Sequence, residues 1–197
     1  MKKSDSGFQF CKVERSNHIL TITLNRPEVL NSMNPAAHFE LDAVFDMYAS
    51  DPDMRVAIIT GAGDRAFCVG TDLKELALTN DHRKPKGGFC GITTRFDLFK
   101  PVIAAVNGLC LGGGAEIVAA CDLAIASENA EFGLVEPRVG LAALGGGALQ
   151  RLAREMPMKD AMMMVLTGKR ISAQEALRIS LINQVVPQSE LMTAAKS

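Results

Sequence analysis

The chain has 197 residues, 48% of them hydrophobic, which is enough to bury one sizeable core. Its net charge of -1 at pH 7 gives no broad positive surface, so the composition argues against nucleic acid and membranes as partners. Five cysteines without a CxxC spacing and three scattered histidines predict no metal site and indicate free thiols in a reducing compartment. Because the N-terminus has no apolar signal region and no window has transmembrane length, we expect a cytoplasmic protein.

The first part of the chain predicts a strand hairpin followed by a helix. Residues 8–13 and 19–24 both have strand character, and the second segment alternates as Ile-Leu-Thr-Ile-Thr-Leu. Asn34 followed by Pro35 is typical of a helix N-cap with proline in the first turn. The apolar face of this helix is expected to contain Phe39, Leu41, Val44, Phe45 and Tyr48. His38 lies beside that face, and we expect it to be a packing or surface residue rather than a base.

A second segment combines a buried strand with a glycine-containing loop. Residues 55–60 (RVAIIT) predict the strand, and the loop leads to Val69-Gly70-Thr71-Asp72. Asp72 and Glu75 stand three apart, as in a capping box, so Asp72 is interpreted as an N-cap rather than a catalytic residue. The main-chain N–H of Thr71, just ahead of this helix, is then free to point at a ligand.

The stretch that follows is polar and predicts a loop. Residues 78–89 contain one proline, two glycines and four side chains that carry or can acquire positive charge, namely His82, Arg83, Lys84 and Lys86. These charges could meet an anionic ligand, but a solvated loop is the simpler interpretation. Residues 92–99 predict a short helical segment.

The most informative stretch is residues 100–127, KPVIAAVNGLCLGGGAEIVAACDLAIAS. An apolar run at residues 102–106 predicts a buried strand, and a triple glycine precedes a small-residue helix at residues 115–120. Glycines let a ligand lie on the main chain, and the unpaired N–H groups of a first helical turn suit an anionic oxygen. Glu116 lies in this turn, and a second carboxylate, Glu136, follows a further strand-like segment. Alternatively, the glycines form a tight turn and Glu116 only offsets the helix dipole.

Alternating strands and helices predict an α/β fold with parallel strand pairing and helical crossovers. One domain with a helical C-terminal section accounts for the whole chain. The remaining elements are three helices at residues 147–155, 159–166 and 173–179, a strand at 183–187, and the start of a helix at 188–195.

Three blocks of the chain resemble the crotonase (enoyl-CoA hydratase/isomerase) superfamily: residues 66–75, 100–116 and 130–137. The resemblance extends from LNRPEVLN at residues 24–31 to NQVVP at residues 183–187. It implies a spiral of ββα units, with an acyl-CoA-binding core over residues 1–187. It also implies a C-terminal helical region from residue 188 that is cut short relative to the family, and a homotrimer or dimer of trimers where those helices are present.

The resemblance also implies an activity. The substrate is an acyl-CoA thioester, no metal or permanently bound cofactor takes part, and two main-chain N–H groups form an oxyanion hole for the thioester oxygen. Carried over by position, those donors are Thr71 and Gly113. Glu116 matches the base that binds water, and Glu136 the donor of a proton to Cα. The chain is therefore expected to be an enoyl-CoA hydratase, a lyase of fatty acid metabolism.

Further positions are implied to cradle the nucleotide and pantetheine: Glu28, Val29, Leu30, Val69, Thr71, Leu73, Lys74 and Gly113. Glu28 stands where many relatives have a basic residue, and Thr71 stands where many have alanine, which would narrow or polarise the acyl pocket. Residues 87–93 are similar to the carnitinyl-CoA dehydratases. The alternatives that remain open are a carnitinyl-CoA-type dehydratase, an isomerase that moves the double bond between the β,γ and α,β positions, and a non-catalytic acyl-CoA-binding subunit.

Overall fold

The computed structural model describes residues 3–5 and 7–197, whose strands form two sheets. The strands are β1 (Lys3–Asp5), β2 (Cys11–Ser16), β3 (Ile19–Leu24), β4 (Val56–Gly61), β5 (Ala66–Cys68), β6 (Val102–Val106), β7 (Leu109–Leu111), β8 (Leu123–Ser127), β9 (Glu131–Gly133), β10 (Ile171–Ser172) and β11 (Gln184–Val186). The larger sheet has the order β1-β2-β3-β4-β6-β8-β11, and the smaller sheet has the order β10-β9-β7-β5.

Helices connect these strands. The α-helices are α1 (Pro35–Ser50), α2 (Leu73–Thr79), α3 (Gly113–Ala120), α4 (Ala148–Glu155), α5 (Met158–Thr167), α6 (Ala173–Arg178) and α7 (Leu191–Ala194). Short 3-10 turns occur at Pro27–Val29, Phe89–Gly91, Glu136–Val139 and Gln188–Glu190.

A ββα unit recurs along the chain. β4 is followed by β5 and α2, β6 by β7 and α3, and β8 by β9 and a helical turn. In each unit the first strand joins the larger sheet and the second joins the smaller sheet, in parallel with the corresponding strand of the previous unit. The expected α/β spiral with parallel pairing is therefore confirmed. Each turn of the spiral brings a strand-to-helix loop to the same region of the molecule.

Helix α1 follows its sequence signals closely. The side chain of Asn34 accepts a 2.8 Å hydrogen bond from the N–H of Ala37, which satisfies one free donor of the first turn. His38 is 3% exposed, and its Nδ1 accepts a 2.9 Å hydrogen bond from the N–H of Cys90, so it packs as expected. The placement of Phe39 on the apolar face was wrong. Its side chain is 46% exposed, because a residue two positions before Leu41 lies on nearly the opposite side of the helix.

The expected helix at residues 92–99 was also wrong. After the 3-10 turn the chain makes bends without a regular helix. Thr93 Oγ1 accepts a 2.9 Å hydrogen bond from the N–H of Phe89, and Thr94 Oγ1 donates one of 2.6 Å to the carbonyl of Lys86. Threonine side chains that bond to nearby backbone groups in this way compete with a helix.

The last segment covers the outer face of the larger sheet. A small apolar cluster there consists of Ile58, Ala105, Ile125, Val186, Leu191 and Ala195. The segment expected to be helical at residues 188–195 begins as a 3-10 turn and becomes α7. The division of the chain at residue 188 stays a prediction. Within the described ranges, no helix has both the length and the apolarity needed to cross a membrane.

Candidate active site

A cavity of about 220 Å³, here called the glutamate cavity, lies where the strand-to-helix loops meet. Its walls include several of the positions singled out in the sequence, namely Val69, Thr71, Leu73, Gly113, Glu116 and Glu136. Glu28, Val29 and Lys74 lie outside this lining. Leu30 also lies outside it, beside a separate cleft of about 90 Å³. The structure thus brings the two glutamates and the two proposed N–H donors to one cavity.

In the wall of the cavity, the loop that contains Gly70 packs directly against the main chain of the triple glycine. Gly70 has a φ of 92°, and a Cβ added to it would lie 3.1 Å from the nitrogen of Gly113. A Cβ on Gly113 would overlap the ring of Phe89, and one on Gly114 would overlap the carbonyl oxygen of Cys68. The triple glycine therefore does serve close packing, as the tight-turn interpretation required. The same packing leaves the main chain of both loops facing the cavity.

The N–H groups of Thr71 and Gly113 have no acceptor among the residues that the structure describes. Their neighbours are paired, since Gly112 N donates to Gly133 O at 2.8 Å and Asp72 N donates to Met33 O at 2.9 Å. Gly113 is the first residue of α3, where the helix itself offers no acceptor for an N–H. Two unpaired donors therefore flank the contact between the loops, and both belong to residues that line the cavity.

Glu116 is a buried carboxylate that accepts hydrogen bonding from the main chain. Its side chain is 4% exposed, and Oε1 accepts a 2.7 Å hydrogen bond from the N–H of Gly146. Burial raises the pKa of Glu116, while the N–H of Gly146 and the charge of Lys84 oppose that rise. Gly146 must be a glycine for this contact, because a Cβ there would overlap the carboxylate.

Glu136 opens a 3-10 turn and also lines the cavity. Its Oε2 is buried and has no hydrogen-bond partner in the described part of the chain. A Cβ at Gly112 would lie 3.1 Å from Oε1, so the main chain of the triple glycine runs directly against this carboxylate. Burial raises the pKa of Glu136, and the negative charge of Glu116 raises it further. Two carboxyl groups whose pKa values are both raised therefore share one cavity.

Sequence reasoning missed part of the lining. Lys84, Phe89 and Gly145 all lie in the wall of the glutamate cavity, and the ammonium of Lys84 stands 5.6 Å from the ring centre of Phe89. The sequence signal was a basic stretch at residues 82–86, which did not distinguish Lys84 from its solvated neighbours. No group of three or more His, Cys, Asp or Glu side chains within residues 7–197 is placed to hold a metal ion.

Comparison with known proteins assigns the chain to a family. The family model described as enoyl-CoA hydratase/isomerase matches residues 14–197. This chain belongs to the enoyl-CoA hydratase/isomerase family. The (E)-benzylidenesuccinyl-CoA hydratase of Thauera aromatica is 44% identical over 196 residues, which cover 94% of this chain and 73% of that protein. A carnitinyl-CoA dehydratase of Salmonella paratyphi A is 46% identical over 184 residues, covering 92% of this chain and 70% of that protein.

Solved structures of the family confirm the crotonase fold. A carnitinyl-CoA dehydratase from Mycobacterium avium 104 superposes with a TM-score of 0.91 at 40% identity, covering 96% of this chain and 74% of that one. An enoyl-CoA hydratase from Bacillus anthracis superposes with a TM-score of 0.87 at 39% identity, covering 95% and 74%. The family members compared here are named as hydratases or dehydratases of CoA thioesters.

Proposed function

We propose that this protein adds water across the α,β double bond of a 2-enoyl-CoA thioester, or removes it in the reverse direction. The observation that supports this most is the pairing in one cavity of buried Glu116 and half-buried Glu136 with the unpaired N–H groups of Thr71 and Gly113. Each part meets one chemical requirement of hydration.

The two N–H groups would hold the thioester oxygen. When water attacks Cβ, negative charge develops on that oxygen, and donors fixed in advance stabilise it. Loss of one such donor typically costs about 3 kcal/mol of transition-state stabilisation. Thr71 and Gly113 suit this role because their loops are held rigidly against each other and Gly113 begins a helix, whose N-terminal end favours negative charge.

The two carboxyl groups would divide the work between base and acid. Glu116 accepts the N–H of Gly146 and lies near the charge of Lys84, and both interactions favour its ionised form. One carboxyl oxygen of Glu136 has no hydrogen-bond partner among the described residues, and the negative charge of Glu116 raises the pKa of Glu136. Both facts favour its protonated form. Glu116 would therefore take a proton from water as its oxygen bonds to Cβ, while Glu136 gives its proton to Cα. In dehydration the same protons move back.

The remaining assignments from the resemblance are part of the same proposal. Val69 and Leu73, in the cavity wall, would contact the pantetheine near the thioester. Glu28, Val29, Leu30 and Lys74 would lie along the rest of the coenzyme, and assembly as a trimer or dimer of trimers stays a prediction. An isomerase needs one base, so an isomerase reaction would give the second glutamate of the cavity no role. A non-catalytic binding subunit would give neither glutamate a role.

A carnitinyl-CoA-type dehydratase uses the same chemistry on a different acyl group. The 46% identity to a carnitinyl-CoA dehydratase keeps that substrate as a second candidate. Comparing crotonyl-CoA with carnitinyl-CoA as substrates of the same preparation would separate the two.

The experiment that tests the proposal is crotonyl-CoA hydration, followed by loss of absorbance of the enoyl thioester. We expect Glu116→Gln and Glu136→Gln each to lower kcat by roughly 100- to 10,000-fold, because each removes a proton transfer. Glu128→Gln, at an exposed position outside the cavity, is the matched control and should keep wild-type activity. Near-normal activity in either cavity variant would contradict the two-glutamate mechanism.

A further inference from the structure

Lys84 lines two cavities at once. One is the glutamate cavity, and the other, here called the histidine cavity, has a volume of about 240 Å³ and is lined by residues that include Met33, Asn34 and His38. Thr71 and Lys84 belong to the walls of both. The ammonium of Lys84 therefore stands at the boundary between the reacting centre and a second space behind Thr71.

The neighbouring cations of the same segment are already paired, and Lys84 is not. Arg83 makes a two-pronged contact with the carboxylate of Asp81, with its closest distance at 2.7 Å. Lys86 lies 3.7 Å from the carboxylate of Asp97. For Lys84, the described residues provide no carboxylate within ion-pair distance. Lys84 is exposed, and its ammonium lies near the ring of Phe89 and the main chain at Gly145, while its charge also acts on Glu116 and His38.

The charge of Lys84 lies close to Glu116, where the proposed function places the reacting atoms of the acyl group. Its Nζ would lie 3.1 Å from a Cβ added to Gly145, and the next residue, Gly146, binds the carboxylate of Glu116. The charge of Lys84 also acts on the pKa of Glu116. If the thioester oxygen binds Thr71 and Gly113 as proposed, the phosphates of CoA lie a full pantetheine arm away from that oxygen, which leaves the acyl group as the part of the substrate closest to Glu116.

Lys84 is the one lysine or arginine in the described lining of the glutamate cavity, whereas the histidine cavity is also lined by His82 and Arg83. His38 is buried and neutral, since burial lowers its pKa to about 4. Asp72 is paired with Arg26 at 3.0 Å, and Asp81 is paired with Arg83. Without Lys84, an anionic group on the acyl chain would meet no lysine or arginine in the described lining of the glutamate cavity and would be repelled by ionised Glu116.

We propose that the natural substrate carries a carboxylate on its acyl chain and that Lys84 binds it. Lys84 is then a specificity-determining residue that selects 2-enoyl-CoA thioesters of dicarboxylic acids. This inference rests on the proposed function and names the substrate class of the same site. A charge-assisted hydrogen bond from the ammonium to the carboxylate would carry the selectivity.

The first test compares crotonyl-CoA with glutaconyl-CoA, which is crotonyl-CoA with a carboxylate on its terminal carbon. We expect wild type to favour glutaconyl-CoA in kcat/KM by roughly 10- to 100-fold. Lys84→Met should bring that ratio close to one, and Lys84→Arg should restore most of it. Lys86→Met is the matched control, because Lys86 lies on the same segment but faces Asp97, and its ratio should equal that of wild type.

A binding measurement separates this inference from the proposed reaction. Calorimetric titration with glutaryl-CoA and butyryl-CoA, which have no double bond to hydrate, should show tighter binding of glutaryl-CoA that depends on Lys84. If neither enoyl substrate is hydrated but this difference holds, the proposed function fails and the carboxylate site stands. Equal affinities in wild type, an equal loss for both ligands in Lys84→Met, or no binding of either by folded wild type would overturn the carboxylate site.

Discussion

The N–H of Gly146 donates a 2.7 Å hydrogen bond to Oε1 of Glu116, joining a glycine-rich loop to the first turn of α3. Arg151 holds that loop in place from the other side. Its guanidinium donates to the carbonyl of Gly146 at 3.0 Å and to the carbonyl of Thr93 at 2.7 Å. The position of the proposed base is therefore fixed by a chain of contacts that begins outside the cavity.

Gly146→Ala should damage hydration. The added Cβ would overlap the carboxylate of Glu116, so either the loop or the glutamate must move and the hydrogen bond between them is lost. We expect kcat to fall by at least roughly tenfold, since a misplaced base loses its alignment with water. Gly7→Ala is the control, because its Cβ would meet nothing within 4 Å. Circular dichroism shows whether both variants are folded, and unchanged kcat in folded Gly146→Ala would contradict the role of this contact.

Arg151→Met should shift the pH profile as well as lower the rate. Arg151 opposes the rise in the pKa of Glu116, so its removal raises that pKa further. The base must be ionised to work, and the acidic limb of kcat against pH should therefore move to higher pH. Arg151→Lys keeps the charge and should restore the position of the limb. A lower rate with an unshifted limb would show that Arg151 supports only the fold.

Glu136→Gln should stabilise the protein near neutral pH while it removes activity. Because folding raises the pKa of this carboxyl, the folded state binds more protons than the unfolded chain, and stability is lost as pH rises through the folded pKa. A neutral amide removes that loss. We expect about 1 kcal/mol of added stability at neutral pH, with the gain disappearing below the ordinary carboxyl pKa. Denaturant titrations at several pH values measure this, and Glu128→Gln should show no such gain.

The buried side chain of His38 should give the stability of the protein the opposite dependence on pH. Burial lowers its pKa from 6.5 to about 4, so the folded state binds fewer protons than the unfolded chain. Its contribution to stability is full above pH 6.5 and is lost as pH falls towards about 4. We expect that loss to reach at most about 3 kcal/mol and to be reduced in His38→Asn. Thermal unfolding of the two proteins across this pH range checks it, and parallel curves would contradict a buried neutral histidine.

The parts of the fold that the sequence predicted are those with a strong local signal. Ile19–Leu24 and Val102–Val106 were placed to the residue, because alternation in one and a continuous apolar run in the other mark strands clearly. The strands Ala66–Cys68 and Leu109–Leu111 were not identified as strands. Strands of three residues carry no measurable periodicity, and without them the ββα repeat is not apparent from local patterns.

The residues of the candidate site also differ in whether a local sequence signal predicts them. Glu116, Glu136 and the glycine loops lie in motifs that can be recognised locally and by family resemblance. Lys84 does not, because its place in the cavity depends on a contact with Gly145, which is far along the chain. Lys84 also differs from its neighbours Arg83 and Lys86, which pair with Asp81 and Asp97, and the residue types alone do not show which cation is paired.

The measurement that tests the central claim most directly follows oxygen and hydrogen atoms from the solvent into the product. The folded wild-type protein would be incubated with crotonyl-CoA in water labelled with oxygen-18 and deuterium, and the product analysed by mass spectrometry. The account predicts 3-hydroxybutyryl-CoA with one labelled oxygen on Cβ and one deuterium on Cα, and no such product from Glu116→Gln. A wild-type protein that exchanges deuterium or moves the double bond without incorporating labelled oxygen would contradict hydration and favour the isomerase.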